Sequence, residues 1–224
     1  MQFIGHRGAP RDFPENTMSS FLRAIELGAD AVELDVHATS DGVVVVHHDS
    51  VVRGVRRAIA ATTIDELSAL DVGGGERIPT LAAVLDAIAP RAFVYVEIKG
   101  EGIEVKVIDE IRRASDPSRC AIHSFDHSLV RRAQAIAPEL RYGVLTEHRG
   151  DPAAQLAAAG ARDYWPSHKI VDAALVSAVH HAGGRVVAWT VNTAREARHL
   201  AGLGVDALCG DDVALLRGAL AAAA

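Results

Sequence analysis

Short apolar runs alternate with helical stretches from one end of this 224-residue sequence to the other. Such alternation is typical of a parallel sheet whose strands are joined by helices. The predicted strands are Gln2–Gly5, Ala31–Val36, Phe93–Ile98, Cys120–Ser124, Tyr142–Leu145, Asp163–Trp165, Arg185–Thr190 and Ala207–Cys209. The predicted helices between and after them are Thr17–Leu27, Leu81–Ala89, Ile103–Ala114, Ser128–Ala135, Pro152–Ala158, Asp172–His181, Ala194–Leu200 and Asp212–Ala219.

The number of these strand–helix units constrains the fold. About eight units favour a closed (β/α)₈ TIM barrel. Hydrophobic residues make up 49% of the chain and aromatic residues only 4%, which suits buried parallel strands covered by helices rich in small residues. A doubly wound open sheet is the alternative, but no glycine-rich phosphate fingerprint follows the first strand.

One segment, Asp41–Arg77, interrupts the alternation after the second strand. Within it, Val43–His47 is predicted to be an additional extended segment and Thr63–Leu70 a short helix that begins with a capping box. We interpret Asp41–Arg77 as a small insertion at the barrel rim, within a single domain that spans residues 1–224.

Charge and composition exclude several classes of protein. The chain has 23 Lys plus Arg and 29 Asp plus Glu, a net charge of −6, which argues against a general nucleic-acid binder. Two cysteines exclude a disulfide scaffold and a cysteine zinc cluster. No apolar run approaches the roughly 18 residues of a membrane span, and the first residues lack a leader pattern. We therefore expect a cytoplasmic protein without stable membrane insertion; the oligomeric state stays open.

Carboxylates stand near the ends of two predicted strands, where the active site of such a barrel lies. The second strand carries Glu33 and Asp35, and the third carries Glu97 followed by Lys99. Residues two apart share one face of a strand, so each pair points in one direction, toward the barrel interior. Three buried carboxylates are costly without a cation and suit one divalent ion, Mg²⁺ or Ca²⁺. Salt bridges to Arg7 and Lys99 are the structural alternative.

Two histidines come from opposite sides of these carboxylates in the sequence. His6 follows the first strand, and His48 ends the additional extended segment. A lone histidine is usually a hydrogen-bonded structural residue, but two beside a carboxylate site indicate a general acid and a general base. The other nine histidines, His123 among them, receive no chemical role. Trp189 fits either an aromatic wall of a pocket or a packed core residue.

Eight short motifs follow one another along the chain. They are Gly5-His6-Arg7-Gly8, Pro14-Glu15-Asn16-Thr17, Glu33-Leu34-Asp35-Val36, Asp41-Gly42, His48-Asp49, Ile78-Pro79-Thr80-Leu81, Glu97-Ile98-Lys99 and Trp189-Thr190-Val191-Asn192. In this order they closely resemble the glycerophosphodiester phosphodiesterase family, from Gly5 to the last strand–helix unit.

The resemblance implies a TIM-barrel enzyme that uses one divalent cation, Mg²⁺ or Ca²⁺. It implies hydrolysis of a small glycerophosphodiester to glycerol 3-phosphate and an alcohol, with two histidines as acid and base. Matched by position, the site residues are His6 and His48 for catalysis, Glu33, Asp35 and Glu97 for the metal, and Arg7, Lys99, Glu15 and Trp189 for the substrate.

The chain departs from the family's pattern in two places. The segment Ser50–Gly75 is shorter than in many relatives and lacks their arginine–threonine–threonine–glycine stretch, which leaves the head group open. The last strand ends in Cys209-Gly210-Asp211-Asp212, where relatives commonly have threonine then aspartate, and we expect little catalytic effect from that. The alternatives are a lysophospholipase D-type or related phosphodiesterase acting on lipids, a phosphoinositide-type lyase, and a catalytically silent sugar-phosphate-binding barrel.

Overall fold

Eight parallel strands form a closed ring in the computed structural model, which describes residues 1–221. The first strand pairs with both the second and the last, which closes the sheet and confirms the predicted (β/α)₈ TIM barrel over an open sheet. The barrel strands are β1, β2 and β4 to β9, and β3 pairs outside the ring. The strand bounds are β1 (Gln2–His6), β2 (Ala31–Ala38), β3 (Val44–Val46), β4 (Phe93–Ile98), β5 (Cys120–Ser124), β6 (Arg141–Thr146), β7 (Asp163–Pro166), β8 (Arg185–Ala188) and β9 (Ala207–Gly210).

Helices follow the barrel strands and cover the outside of the ring. Several begin at a threonine or aspartate that caps the first turn: Thr17, rather than its neighbour Asn16, accepts a hydrogen bond from the Ser20 amide. The helix bounds are α1 (Met18–Glu26), α2 (Ile64–Ser68), α3 (Leu81–Ile88), α4 (Glu104–Arg113), α5 (His127–Ile136), α6 (Pro152–Ala159), α7 (Ala173–His181), α8 (Ala194–Leu203) and α9 (Val213–Ala221). No helix within residues 1–221 combines the length and the apolar character that crossing a bilayer requires.

The two faces of each strand build two separate cores, because successive side chains point in opposite directions. Outward-facing residues such as Val32 and Leu34 join the core beneath the helices. Inward-facing residues fill the barrel, where the rings of Tyr95 and Trp165 pack edge to face with centroids 4.9 Å apart. The barrel interior is therefore solid below its mouth. The buried free thiol of Cys209 also faces this interior.

Two strand ends differ from the prediction by two residues: β2 continues to Ala38 instead of Val36, and β8 ends at Ala188 instead of Thr190. Trp189 continues the ladder only as a single bridge to Ser167. The backbone N–H of His168 then donates to the Trp189 carbonyl at 2.6 Å. Beyond Ala188 the chain is therefore paired with the loop that follows β7.

The Asp41–Arg77 segment contains the predicted extended piece and short helix. β3 lies antiparallel to the end of β2, with Val46 opposite Val36, and α2 begins with a capping box. A small apolar cluster of its own holds the segment together: Val45, Val52, Ile59, Leu67 and Ile78. The division into one domain of residues 1–224 with an insertion stays a prediction, and residues 222–224 lie outside the described range.

An ion-pair network lies at the amino-terminal ends of the strands, opposite the mouth. Asp163 at the start of β7 is fully buried and receives two hydrogen bonds from the guanidinium of Arg141 at the start of β6. Arg185 at the start of β8 contacts the same carboxylate at 3.3 Å. This end of a TIM barrel usually serves stability, so we assign the network a structural role.

We expect Asp163→Asn to lower the free energy of unfolding by roughly 3 kcal/mol or more, the usual cost of leaving a buried partner unpaired. Urea or guanidinium denaturation measures the loss. Glu139→Gln is the control, since it removes an exposed carboxylate paired with Arg112 and should cost little. A loss in D163N no larger than in the control would show that the network adds no net stability.

Candidate active site

A cavity of about 340 Å³ opens at the carboxyl-terminal ends of the barrel strands. Its walls contain most of the residues predicted for the site. They are His6, Arg7, Glu33, His48, Glu97, Lys99 and Trp189, joined by His123, Phe125, Leu145, Glu147, Trp165 and Cys209. The structure thus brings both predicted histidines and two of the three predicted metal ligands to one opening.

The three predicted carboxylates lie together on β2 and β4. Asp35 is opposite Glu97 in the register of the two strands, and Glu33 lies two residues earlier on β2. Their exposed fractions are 3% for Glu33, 1% for Asp35 and 8% for Glu97. Negative charge buried at this density is unfavourable unless cations or donors surround it.

His123 was given no role by the sequence, and the structure places it beside this cluster. It lies on β5 opposite Glu97, and its side chain is 1% exposed. Both ring nitrogens lack a hydrogen-bond partner, since even the Glu33 carboxylate is 3.6 Å from Nε2. One ligand atom each from Glu33, Glu97 and His123 lie within 4.8 Å of one another. Unpartnered nitrogen beside buried carboxylates fits a divalent metal ion.

Asp35 is held differently from the other two carboxylates. Its Oδ2 accepts a hydrogen bond of 2.9 Å from the side-chain amide of Asn16 and lies 3.1 Å from Arg7 Nε. Its Oδ1 is buried without a hydrogen-bond partner, 3.8 Å from Lys99 Nζ. The atoms that already converge therefore come from Glu33, Glu97 and His123, while Asp35 has one oxygen left for a ligand.

Two cations neutralise part of the cluster. Lys99 Nζ is 3.2 Å from Glu97 Oε1, and Arg7 binds both Asp35 and the exposed Glu15 carboxylate, the latter at 2.9 Å. Glu15 itself does not line the cavity and reaches it only through Arg7. The predicted salt bridges thus exist, and they place two positive side chains at the cavity wall beside the carboxylates.

The pKa values of Glu97 and Glu33 are shifted in opposite directions. Burial raises the pKa of Glu97, and the charges of Asp35 and Glu33 add to this, so that it reaches about 7. Burial also opposes ionisation of Glu33, but His123, His6 and Arg7 outweigh it and lower the pKa of that carboxyl. Near neutral pH, Glu97 can carry a proton that a metal ion would displace.

Backbone geometry after β1 fixes Arg7. Arg7 and Asn16 both have positive φ angles, 54° and 58°, which are unusual for residues other than glycine. The backbone N–H of Asn16 donates to the Arg7 carbonyl, and the backbone N–H of Arg7 donates to Glu33 Oε2. Gly8 at φ 91° allows α1 to approach, because a Cβ there would collide with Ser20. Strain of this kind is typical of functional sites.

A carboxylate near the end of the chain, Asp211, holds the imidazole of His6. Its Nδ1 lies 2.7 Å from Asp211 Oδ1 just after β9, and Asn192 donates to the other Asp211 oxygen at 2.6 Å. Burial lowers the pKa of His6, but Asp211 and Glu33 outweigh it, and the net pKa is raised. No local sequence pattern indicates this role of Asp211, because the two residues are 205 positions apart.

His48 also has an aspartate on Nδ1, its neighbour Asp49, at 2.7 Å. Its Nε2 lies 3.2 Å from Lys99 Nζ. Because an ammonium group only donates, Nε2 accepts and the proton of the neutral ring is on Nδ1. Each predicted catalytic histidine therefore has its Nδ1 bound by an aspartate, and the Nε2 of His48 is also in contact with Lys99.

Aromatic residues line the remaining wall. Trp189 donates its indole N–H to the Trp165 carbonyl at 2.9 Å and packs edge to face against Phe125, with centroids 5.4 Å apart. The sequence singled out Trp189 but neither Phe125 nor Glu147. Both follow strand ends directly, which is the signal that could have identified them.

Comparison with known proteins gives one consistent family. Residues 6–215 match the model of the glycerophosphoryl diester phosphodiesterase family. A glycerophosphodiester phosphodiesterase of Caldanaerobacter subterraneus is 34% identical, with 93% of each chain covered. An Oleispira antarctica phosphodiesterase, solved with the product sn-glycerol 3-phosphate, superposes with a TM-score of 0.91 at 28% identity, covering 99% of this chain and 97% of that one. A glycerophosphodiester phosphodiesterase of Agrobacterium tumefaciens gives 0.88 at 26% identity, covering 97% and 99%.

We expect Asp211→Asn to lower the pKa of His6, because the substitution keeps the shape of the side chain and removes its negative charge. NMR titration of the imidazole signals of the metal-free protein measures it. Asp49→Asn is the matched control, since it changes the partner of His48 and should leave the His6 pKa in place. An unchanged His6 pKa in D211N would mean that Glu33 alone stabilises the charged ring.

Proposed function

Because the chain belongs to the glycerophosphoryl diester phosphodiesterase family, we propose that it hydrolyses glycerophosphodiesters to glycerol 3-phosphate and an alcohol, with a divalent metal ion and two catalytic histidines. The observation that carries the proposal is the buried cluster of Glu33, Glu97 and His123, open to a cavity whose wall also bears Arg7 and Lys99. A phosphodiester is anionic, and this arrangement offers it a metal ion and two cations at once.

The metal ion would be held by Glu33 and Glu97, with Asp35 Oδ1 or a nitrogen of His123 as a further ligand. Carboxylate oxygens favour Mg²⁺ or Ca²⁺, whereas an imidazole ligand would widen the choice toward transition metals. When bound, the ion neutralises charge on the phosphate oxygens. It also relieves the repulsion between the buried carboxylates, which supports the site as metal-binding.

The substrate phosphate would lie against Arg7 and Lys99. Arg7 offers a planar donor fork, and its contacts with Asp35 and Glu15 hold that fork in place before substrate arrives. Lys99 adds a compact charge between Glu97 and His48. Trp189 would contact the remainder of the substrate at the opposite wall.

The hydrogen bonds of the two histidines suggest different roles. The raised pKa of His6 and its contact with Asp211 favour a protonated ring, which suits the general acid that protonates the leaving alkoxide. The Nε2 of His48 faces the ammonium of Lys99 and accepts from it, which suits the general base once substrate draws Lys99 away. Asp49 would then stabilise the charge that forms on His48.

Metal removal tests the first half of the proposal. We expect EDTA to abolish hydrolysis of glycerophosphocholine and added Mg²⁺ or Ca²⁺ to restore it, because the ion supplies the charge that the carboxylates cannot. Glu33→Gln should lower kcat/KM by at least about 10²-fold. Full activity in EDTA would contradict metal dependence.

The pH dependence of metal binding is a separate expectation. Glu97 is protonated below its pKa of about 7, so a bound ion must displace the proton. The apparent Kd for Mg²⁺, measured by calorimetry, should rise roughly tenfold for each pH unit below neutrality and level off above it. Glu97→Gln should bind more weakly and lose this dependence. A wild-type Kd that is constant through neutral pH would contradict Glu97 as a ligand.

The histidines are tested by their separate effects on kcat for substrates with poor and good leaving groups. His6→Ala and His48→Ala should each lose about 10²-fold or more in kcat on an unactivated diester. On a substrate with a good leaving group, H6A should recover much of its rate and H48A should not, because only the general acid assists the leaving group. Recovery in H48A alone would reverse the two roles, and full activity in either variant would remove that residue from catalysis.

A further inference from the structure

The mouth of the barrel has two chemically distinct halves. One half, built by β1, β2 and β4 with the loops that follow them, carries the metal-binding carboxylates, the two histidines and the two cations. The other half is built by the ends of β5 to β8. Apart from His123, a candidate metal ligand, it presents side chains that the proposed mechanism leaves unused except for Trp189. They are Phe125, Leu145, Glu147, Trp165 and Trp189. We call these five residues the aromatic wall.

The aromatic wall exposes a large ring to the cavity. Phe125 is 43% exposed, which is high for a phenylalanine that directly follows a fully paired barrel strand. The Trp189 indole is fixed by its hydrogen bond to the Trp165 carbonyl, and it meets Phe125 nearly perpendicularly, at 80°. Two rings at this angle form a corner with aromatic surface on both sides.

A carboxylate stands at the same wall without a counter-charge. Glu147 follows β6, lines the cavity and is exposed. Among residues 1–221 its side chain makes no hydrogen bond and no ion pair, whereas Glu97 is paired with Lys99 and Glu15 with Arg7. An acidic group would repel the phosphate, so its place in the cavity calls for a positive group elsewhere on the substrate.

We propose that the aromatic wall binds a quaternary ammonium group, so that the preferred substrates are glycerophosphodiesters whose alcohol carries a fixed positive charge. The inference rests on the proposed function and names its substrate class. Aromatic faces attract such cations through their quadrupoles, and Glu147 adds a direct charge interaction. With the phosphate at Arg7 and Lys99, the alcohol would reach across the cavity, so each end of the substrate meets the opposite charge.

An acyl chain is the competing occupant of an apolar wall. It would need a continuous apolar path, and Glu147 would leave a charge beside it. A neutral alcohol such as glycerol would gain nothing from either the rings or the carboxylate. The geometry therefore favours the ammonium group over both.

The test compares two soluble diesters with the same glycerophosphate half. The ratio of kcat/KM for glycerophosphocholine to that for glycerophosphoglycerol should be well above one in the wild type. Phe125→Ala and Glu147→Gln should each lower this ratio by roughly three- to tenfold, the usual scale of cation–π and exposed charge contributions. Ile136→Ala and Glu139→Gln are matched controls: Ile136 is also 43% exposed but lies on α5 away from the cavity, and both should keep the ratio.

Choline alone provides a readout that does not depend on hydrolysis. It should quench the fluorescence of Trp189 in the metal-free protein, and F125A should weaken that binding. If wild type hydrolyses neither diester yet binds choline, the proposed function fails and the ammonium site stands. If it hydrolyses both with equal kcat/KM, or prefers lysophosphatidylcholine, the ammonium site is wrong and the proposed function stands.

Discussion

The burial of Glu33, Asp35 and Glu97 on adjacent strands is the constraint on which the rest of the site depends. Three carboxylates in a water-poor barrel mouth repel one another and lose hydration, and such a group persists only where surrounding groups compensate. Arg7, Lys99 and the Asn16 amide each contact one of them. The turn after β1, in which Arg7 and Asn16 both have positive φ angles, places both side chains against Asp35.

Arg7 and Lys99 do not fully offset the buried negative charge of the cluster. The groups that stay unsatisfied indicate its function. The pKa of Glu97 stays raised, one oxygen of Asp35 has no donor, and both nitrogens of His123 are unpartnered. A divalent ion would displace the proton of Glu97 and could take up Asp35 Oδ1 or one nitrogen of His123, which is why we propose metal binding as the role of the cluster. The amino-terminal end of the barrel differs in one respect: burial also raises the pKa of Asp163, but two arginines bind its carboxylate and leave no oxygen without a partner.

The sequence predicted what local periodicity and order along the chain encode. The apolar runs located all eight barrel strands, and alternation within Glu33–Asp35 and Glu97–Lys99 correctly directed the carboxylates inward. It could not identify His123, because a histidine inside an apolar strand gains meaning only from the register that sets it opposite Glu97. Asp211 escaped for a similar reason, since only closure of the ring brings β9 beside β1. A side chain that reaches the site through strand register or through closure of the barrel leaves no pattern in a short stretch of sequence.

A metal ion bound between Glu33 and Glu97 would be visible directly. Crystals soaked with Ca²⁺ and glycerol 3-phosphate, measured for anomalous scattering, test this position without reference to rate. We expect one strong peak about 2.3–2.6 Å from carboxylate oxygens of both Glu33 and Glu97, with the phosphate between that ion and Arg7. The same map decides whether Asp35 or His123 completes the ligand set. A map with no peak at these carboxylates, or with the phosphate bound by Arg7 and Lys99 alone, would contradict metal binding between Glu33 and Glu97.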